Sequence, residues 1–275
     1  MTGHAKAMKG LRRAVTVGGR TVHACSDGMF VMPEAFLGDV RAHAALAGAD
    51  GQARLPIGFL VVPGEPTVLV DAGMGPVESS ILVGGGLLDH LAAIGLGPED
   101  IDVHAFTHLH VDHVGWVATP EGDPVFPNAQ LLVSRADWSV FVENAGDDPR
   151  FHLKPHVAAA LRTLAARGQL TLTEGEHEVA PGVRALPAPG HTPGHLSYEV
   201  RDDGERLVWL GDVMYVPRQV NEPTWRAVSD ADPELALSTR RASWLDLDRG
   251  GGLALGSHFA ELRPGRVIDG AWRAS

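Results

Sequence analysis

The chain has 275 residues, 44% of them hydrophobic and 21% charged, with a mean hydropathy near zero; that length permits one large domain or two smaller ones, and the composition excludes a disordered chain. The formal net charge of -11 makes nucleic acid and anionic membranes poor partners unless a local basic patch exists, and none is visible. Cys25 is the only cysteine, which excludes an intramolecular disulfide and a thiolate cage for zinc, and predicts a small buried thiol on an early strand.

Residues 1–19 carry Lys6, Lys9, Arg12 and Arg13 but no apolar run of signal-peptide length. Nor does any stretch reach the roughly 18 apolar residues of a membrane helix, so the expected location is the cytoplasm. Residues 14–31 alternate apolar and polar around Gly18-Gly19 and Asp27-Gly28, which predicts short antiparallel strands with turns at both places. A polar, proline-punctuated segment follows to Leu55, helical at best over 41–49. The β-rich runs 57–62 and 67–70 flank Pro63-Gly64-Glu65-Pro66 and predict a hairpin whose second strand ends in Asp71-Ala72-Gly73. An Asp in that setting is either a turn former or a group that orients a metal ligand.

Residues 87–96 have helical spacing and stop at Gly97-Pro98, and 101–106 form a strand; His90 and His104, on these elements, read as structural. The strand delivers Thr107-His108-Leu109-His110-Val111-Asp112-His113-Val114-Gly115-Trp116. Side chains two apart on an extended segment share a face, so His108 and His110 can grip one cation. Asp112 and His113 are adjacent and converge only on a turn, where they can serve a second cation. A solvated histidine-rich loop is the alternative, and the recurrence of further ligands downstream argues against it.

Next come a strand at 129–134, a helix starting at 135–142 whose Trp138 and Phe141 face the core or a cleft wall, a helix at 155–167 and a strand at 170–173. Residues 183–187 lead into Pro189-Gly190-His191-Thr192-Pro193-Gly194-His195, where two glycines and two prolines fix a tight loop projecting His191. His195 reads as a supporting group rather than a ligand. Residues 196–200 and 206–210 predict a hairpin that ends at Gly211-Asp212, and an irregular stretch with Pro223 and Trp225 precedes a helix over 233–245. The strand 253–255 delivers Gly256-Ser257-His258, leaving 17 residues. No repeat or linker divides the chain, so residues 1–275 are expected to form one domain.

Strands alternating with helices, with ligands at four strand ends, predict an α/β architecture with the site along one edge of the sheets. Sorted by reach, His108, His110 and His191 form one set and Asp112, His113 and His258 a second, while Asp212 can bridge both. Imidazole with carboxylate suits two zinc ions.

At this point the chain resembles the metallo-β-lactamase superfamily: THLHVDH carries His108, His110, Asp112 and His113, PGHTPGH carries His191, GDVMY carries Asp212, GSHFA carries His258, and VDAG at 70–73 supplies a strand-end Asp. The resemblance spans roughly residues 57–258. It implies a four-layer αββα sandwich, two mixed β-sheets flanked by helices, and two Zn2+ per chain, with Fe, Mn or Co as other divalent occupants. The shared chemistry it implies is a metal-bridging hydroxide that attacks a carbonyl or phosphoryl centre, with Asp112 carrying the proton.

Tyr215, three residues after Asp212, can donate its hydroxyl to a developing oxyanion or serve as a core aromatic. Acyl-homoserine lactonases, which the chain resembles, place a tyrosine at this offset. Val216, Val220 and Trp225 are expected to wall the cleft, with Arg218 and Arg226 its nearby cations. The expected activity is therefore a lactonase of acyl-homoserine-lactone type acting on a small neutral or apolar lactone or ester, in a chain that can be a homodimer. The alternatives are an organophosphate or aryl ester hydrolase, loosely resembling the parathion-hydrolase type, and a thioesterase of the same fold. Too little chain follows His258 for the basic C-terminal domain of glutathione-thioester hydrolases. A persulfide dioxygenase would hold a single iron, flavodiiron proteins have Glu in place of His110, and a purely structural zinc would be closed and four-coordinate.

Overall fold

The computed structural model describes residues 10–275, so the expectation of no export signal falls partly on residues 1–9, outside the described part. The first half of the chain builds a sheet from β1 (Arg12–Val17), β2 (Arg20–Val31), β3 (Arg54–Val62), β4 (Val68–Val70), β5 (Val77–Glu78), β6 (Leu82–Gly84), β7 (Val103–Ala105), β8 (Gln130–Ser134) and β9 (Leu170–Thr173). Its order is β5-β6-β2-β3-β4-β7-β8-β9, with β1 paired to β2. The second sheet runs in sequence order through β10 (His177–Ala180), β11 (Val183–Pro187), β12 (Leu196–Asp202), β13 (Glu205–Trp209), β14 (Leu253–Leu255), β15 (Gly265–Ile268) and β16 (Ala271–Ala274). Both sheets are mixed: β4, β7, β8 and β9 run parallel, as do β13 and β14, and the other pairs are antiparallel.

Strand alternation sorts the residues into layers. On β3, Leu60 and Val62 enter the core between the sheets, while Phe59 and Val61 pack with Leu87 and Leu91 of a helix at Leu87–Ala93. On β8, Leu132 faces the inter-sheet core, and Leu131 and Val133 pack with Val157, Leu161 and Leu164 of the helix Pro155–Ala166. Trp244 and Leu247 of the helix Pro233–Gly250 pack on the second sheet. The order of layers is thus helix, sheet, sheet, helix, as the resemblance implied. No helix among the described residues is long and apolar enough to cross a membrane.

The hairpin β3–β4 and the helices and strands expected after it are present, most within a few residues of their expected bounds. Cys25 lies buried on β2, and burial pushes its thiol up to about 12. His104 is buried between the rings of Phe106 and Phe126, and desolvation lowers it to about 3, as fits a structural histidine. The expected turn at Asp27-Gly28 is absent: β2 runs on through it, with only a bulge between Ser26 and Gly28 against β3. Asp27 is instead a buried anchor, accepting the amides of Met74, Gly75, Gly85 and Leu87 and the Nε1–H of Trp116 at 2.8–3.1 Å. Strands β5, β6, β10, β15 and β16 had no counterpart in the sequence reading.

The close approach of β6 to β2 requires Gly28, because a Cβ there would lie 1.8 Å from the carbonyl oxygen of Val83. Gly28→Ala is therefore expected to lower unfolding stability by about 2–3 kcal/mol, the scale of an overpacked interior. A denaturant melt with an unshifted midpoint would refute that account of Gly28.

Candidate metal centre

The seven residues singled out from the sequence come from four loops at the ends of β7, β11, β13 and β14, and the structure brings them together. The loop after β7 is zipped to the loop after β4: Ala72 N–H donates to His113 O, Gly115 N–H to Gly73 O and Trp116 N–H to Ala72 O, at 2.7–3.0 Å. Gly115 permits the approach, since a Cβ would meet the Met74 carbonyl carbon at 1.9 Å. Asp71, at φ 64°, turns its carboxylate inward, where Oδ1 accepts from Thr107 N–H at 2.8 Å and Oδ2 lies 3.0 Å from His113 Nδ1. Of the two options open for Asp71, orienting a histidine is the one the geometry bears out.

The donor atoms fall into overlapping groups. One comprises His108, His110 and His191, a second Asp112, His113 and His258, and a third joins His108 and His113 to Asp212, each with its donor atoms within 4.8 Å of one another. The Asp212 oxygens point both ways: Oδ1 lies 3.5 Å from His113 Nε2, while Oδ2 lies 3.6 Å from His191 Nε2 and 3.2 Å from His258 Nε2. His195 is set apart, its Nε2 accepting the Asp212 amide at 3.0 Å. It thereby fixes the carboxylate's backbone, in keeping with a supporting role.

Four imidazoles are held from behind by their Nδ1 atoms: His108 by the Thr107 hydroxyl at 3.0 Å, His113 by Asp71, His191 by Asp230 at 2.9 Å and His258 by the Pro56 carbonyl at 2.7 Å. Such bonds fix ring orientation and leave Nε2 to face inward. His110 is the exception, its Nδ1 lying 3.0 Å from His191 Nε2. At the focus, His108 Nε2, His113 Nε2 and Asp212 Oδ1 are buried with no hydrogen-bond partner. Buried polar atoms are rarely left so, and this donor set fits divalent cations of zinc type.

Electrostatics follow the same grouping. Burial and the neighbouring histidines hold His108 and His110 well below the usual imidazole range. Burial also pulls on His113, but the carboxylates of Asp71, Asp112 and Asp212 outweigh it and raise it to about 10. For Tyr215, burial and then the Asp212 and Asp112 charges keep the hydroxyl a neutral phenol, well above its usual range. Its ring stacks on His258 at 4.8 Å, and its hydroxyl lies 3.2 Å from Ser229 Oγ.

A cleft of ≈ 360 Å³ reaches the centre, lined by Phe30, Phe36, Met74, Val111 and Pro149 together with His110, Asp112 and Tyr215. The expected wall is corrected here. Val216 and Trp225 are buried in a cluster with Met32 and Leu37, and Val220 packs against the inter-sheet core, because the chain after Tyr215 turns inward as a 3-10 helix. Arg218 and Arg226 pair with Glu222 and Glu234, and the cation on the cleft is Arg150, clamped by Asp148. Trp116 is half-buried, bonded to Asp27 and away from the cleft.

Three supporting residues were not foreseen. Asp137 holds the His191 loop by accepting Gly194 N–H at 2.7 Å and the Thr192 hydroxyl at 2.8 Å; burial lifts its carboxyl to about 6, partly offset by those bonds. Asp230 backs His191, and Arg240 lies behind Asp230. Nothing in their local sequence marks them.

A metallo-beta-lactamase superfamily profile matches residues 58–249. The chain is 31% identical over 150 residues to an N-acyl homoserine lactonase of Bacillus cereus, covering 54% of this chain and 52% of that one. It is 28% identical over 145 residues to the N-acyl homoserine lactonase AiiB of Agrobacterium fabrum, covering 51% and 50%. The chain thus spans about half the length of the curated relatives it matches. Among solved structures, the hydrolase AbOPH of the beta lactamase superfamily superposes with a TM-score of 0.82 at 24% identity, over 96% of this chain and 97% of that one. AidC, a dizinc quorum-quenching lactonase in complex with its product N-hexanoyl-L-homoserine, gives 0.81 at 22% identity, over 96% of each.

The donor set predicts two divalent cations per chain by elemental analysis. Asp212→Ala, which removes both inward oxygens, is expected to lose bound metal, whereas His195→Ala retains both ions. Two ions in the Asp212 variant together with fewer in the His195 variant would reverse this assignment.

Proposed function

Because the chain belongs to the metallo-beta-lactamase superfamily, we propose that it is a metal-dependent hydrolase that opens a small, largely apolar lactone, with acyl-homoserine lactones the favoured class. The observation that carries this is that Tyr215 and Asp112 line the same largely apolar cleft as His110, one of the converging donors. The similarity to N-acyl homoserine lactonases supports the substrate class.

In this reading His108, His110 and His191 would hold one cation and Asp112, His113 and His258 the other, with Asp212 within reach of both sets. Two zinc ions there would supply Lewis-acid polarisation of the scissile carbonyl and a water acidified toward neutrality. The chain's own residues do the rest. Phe30, Phe36, Met74 and Val111 take up the acyl chain and exclude bulk water from the ester bond. Tyr215, held as a phenol, donates a hydrogen bond to the carbonyl oxygen as negative charge grows on it. Asp112, whose side chain is 20% exposed and 3.6 Å from His258 Nε2, stands between centre and cleft, placed to take the water's proton and pass it to the departing alkoxide. Candidate donors come from loops of both sheets, which favours the chain working as one domain; its site of action is proposed to be the cytoplasm.

Metal-loaded protein assayed on lactones, aryl esters, thioesters and phosphotriesters tests the assignment. Lactone turnover is expected to exceed the others, and a phosphotriester preference would replace the lactonase reading with the organophosphate one. Loss of one oxyanion donor typically costs about 10²-fold or more in turnover. Tyr215→Phe is therefore expected to reduce lactone turnover at least about tenfold with metal content intact. Unchanged kinetics in that variant would remove Tyr215 from the mechanism.

A further inference from the structure

Two opposite charges are buried immediately behind the candidate centre. Asp230 on the loop before the helix Pro233–Gly250 and Arg240 inside that helix are 3% and 1% exposed. Asp230 Oδ1 lies 2.9 Å from His191 Nδ1, and Oδ2 faces Arg240 Nη2 at 3.8 Å. Neither Asp230 Oδ2 nor Arg240 Nη2 has a hydrogen-bond partner. The two atoms therefore answer only each other, as charges.

The rest of the guanidinium reaches in a different direction. Arg240 Nε donates to the carbonyl of Val213, the residue after Asp212, at 2.8 Å, and Nη1 to the carbonyl of Trp225 at 3.4 Å. The same Trp225 carbonyl accepts from Gln219 Nε2 at 3.1 Å, and Gln219 Oε1 accepts the amides of Tyr215 and Val216. Ser229, next to Asp230, meets the Tyr215 hydroxyl. One helix side chain is thus linked to His191 through a carboxylate, to Asp212 through the adjoining carbonyl and to Tyr215 through Gln219.

We propose that Asp230 and Arg240 are a buried positioning pair that sets the direction of His191 Nε2 and ties it to the placement of Asp212 and Tyr215. The proposal rests on the reading of His191 and Asp212 as cation ligands and adds to it the residues that fix their geometry. Stability alone is a poor reason for such a pair, because desolvating two charges often costs as much as their attraction returns, and apolar replacements of similar volume are frequently as stable. A carboxylate behind a histidine ligand, by contrast, orients the ring and raises its basicity, and its removal typically weakens metal binding about 10–100-fold. Arg240 in turn faces that carboxylate's second oxygen and holds it from the side away from His191.

The test is a Zn2+ titration against a competing chelator, with visible spectra of the Co2+-substituted protein and thermal melts of the metal-free forms. It compares the wild type with Asp230→Asn, Arg240→Met and Arg240→Lys. Asp230→Asn, close in shape but uncharged, is expected to weaken one of the two cations about 10–100-fold and to shift the Co2+ bands. Arg240→Met should do likewise, and Arg240→Lys, which keeps charge without the planar fork, should recover part of the affinity. Wild-type affinities and spectra in Asp230→Asn and Arg240→Met, or lowered melting temperatures with unmoved affinities, would overturn the pair's positioning role while leaving the metal centre standing. A wild type that binds no Zn2+ would instead overturn the centre itself, and the pair's role with it.

Discussion

The structure turns on the requirement that several imidazoles point the same ring nitrogen at one small volume. An unsupported histidine has two donor-capable nitrogens and freedom about two torsions, so convergence needs a partner for the outward nitrogen of each ring. Here four different partners supply it: a hydroxyl from Thr107, carboxylates from Asp71 and Asp230, and the carbonyl of Pro56. Those partners come from several loops and a strand, so the ring directions are fixed only once both sheets are packed. The inter-sheet core, running from Val15 and Leu60 to Tyr198 and Trp209, is in that sense the foundation of the centre.

Loops are held in the same manner, by buried carboxylates acting on backbone amides. Asp27 draws the residues after β4 and β6 onto the bulged β2, and Asp137 draws the His191 loop onto the end of β8. Each replaces the repeating bonds that a helix or strand would have given the same chain. The amides would otherwise be buried without acceptors, at a cost of about 1–3 kcal/mol apiece. Close approach completes the clamp, and Gly115 against Met74 shows why a side chain cannot stand there.

Much of the candidate centre was legible in the sequence, and the physical reason is the locality of the signals. His108, His110, Asp112 and His113 lie within six positions, and His191, Asp212 and His258 each follow a β-rich run and a glycine or proline. Spacing and strand ends carry their information without the fold. The cleft wall was misread because proximity in sequence to Tyr215 was taken for proximity in space. Val216 and Trp225 turn into the interior, and the wall comes from Phe30 and Phe36, about 180 residues earlier. Asp27-Gly28 was misread for a related reason: the dipeptide favours a turn, yet a strand bulge can use the same glycine. The strands β15 and β16 are short and contain charged residues, so no alternation marked them.

Asp137, Asp230 and Arg240 were illegible for a deeper reason. An Asp one turn into a short helix, an Asp before a helix and an Arg within one are all common on solvated surfaces, where they need no tertiary explanation. What distinguishes these three is burial, and burial of a charge is set by what the remote chain packs against it. Ligands announce themselves by type and spacing, whereas the groups that aim the ligands are defined only by their contacts. It follows that two chains sharing the seven inward residues can differ in metal affinity and in the hydrogen bonds offered to a substrate through residues that no motif contains. In this chain those residues are concentrated behind His191, where the loop from β11, the loop from β13 and the following helix meet. The His191 side of the centre is therefore the side whose geometry depends most on tertiary packing and least on local sequence.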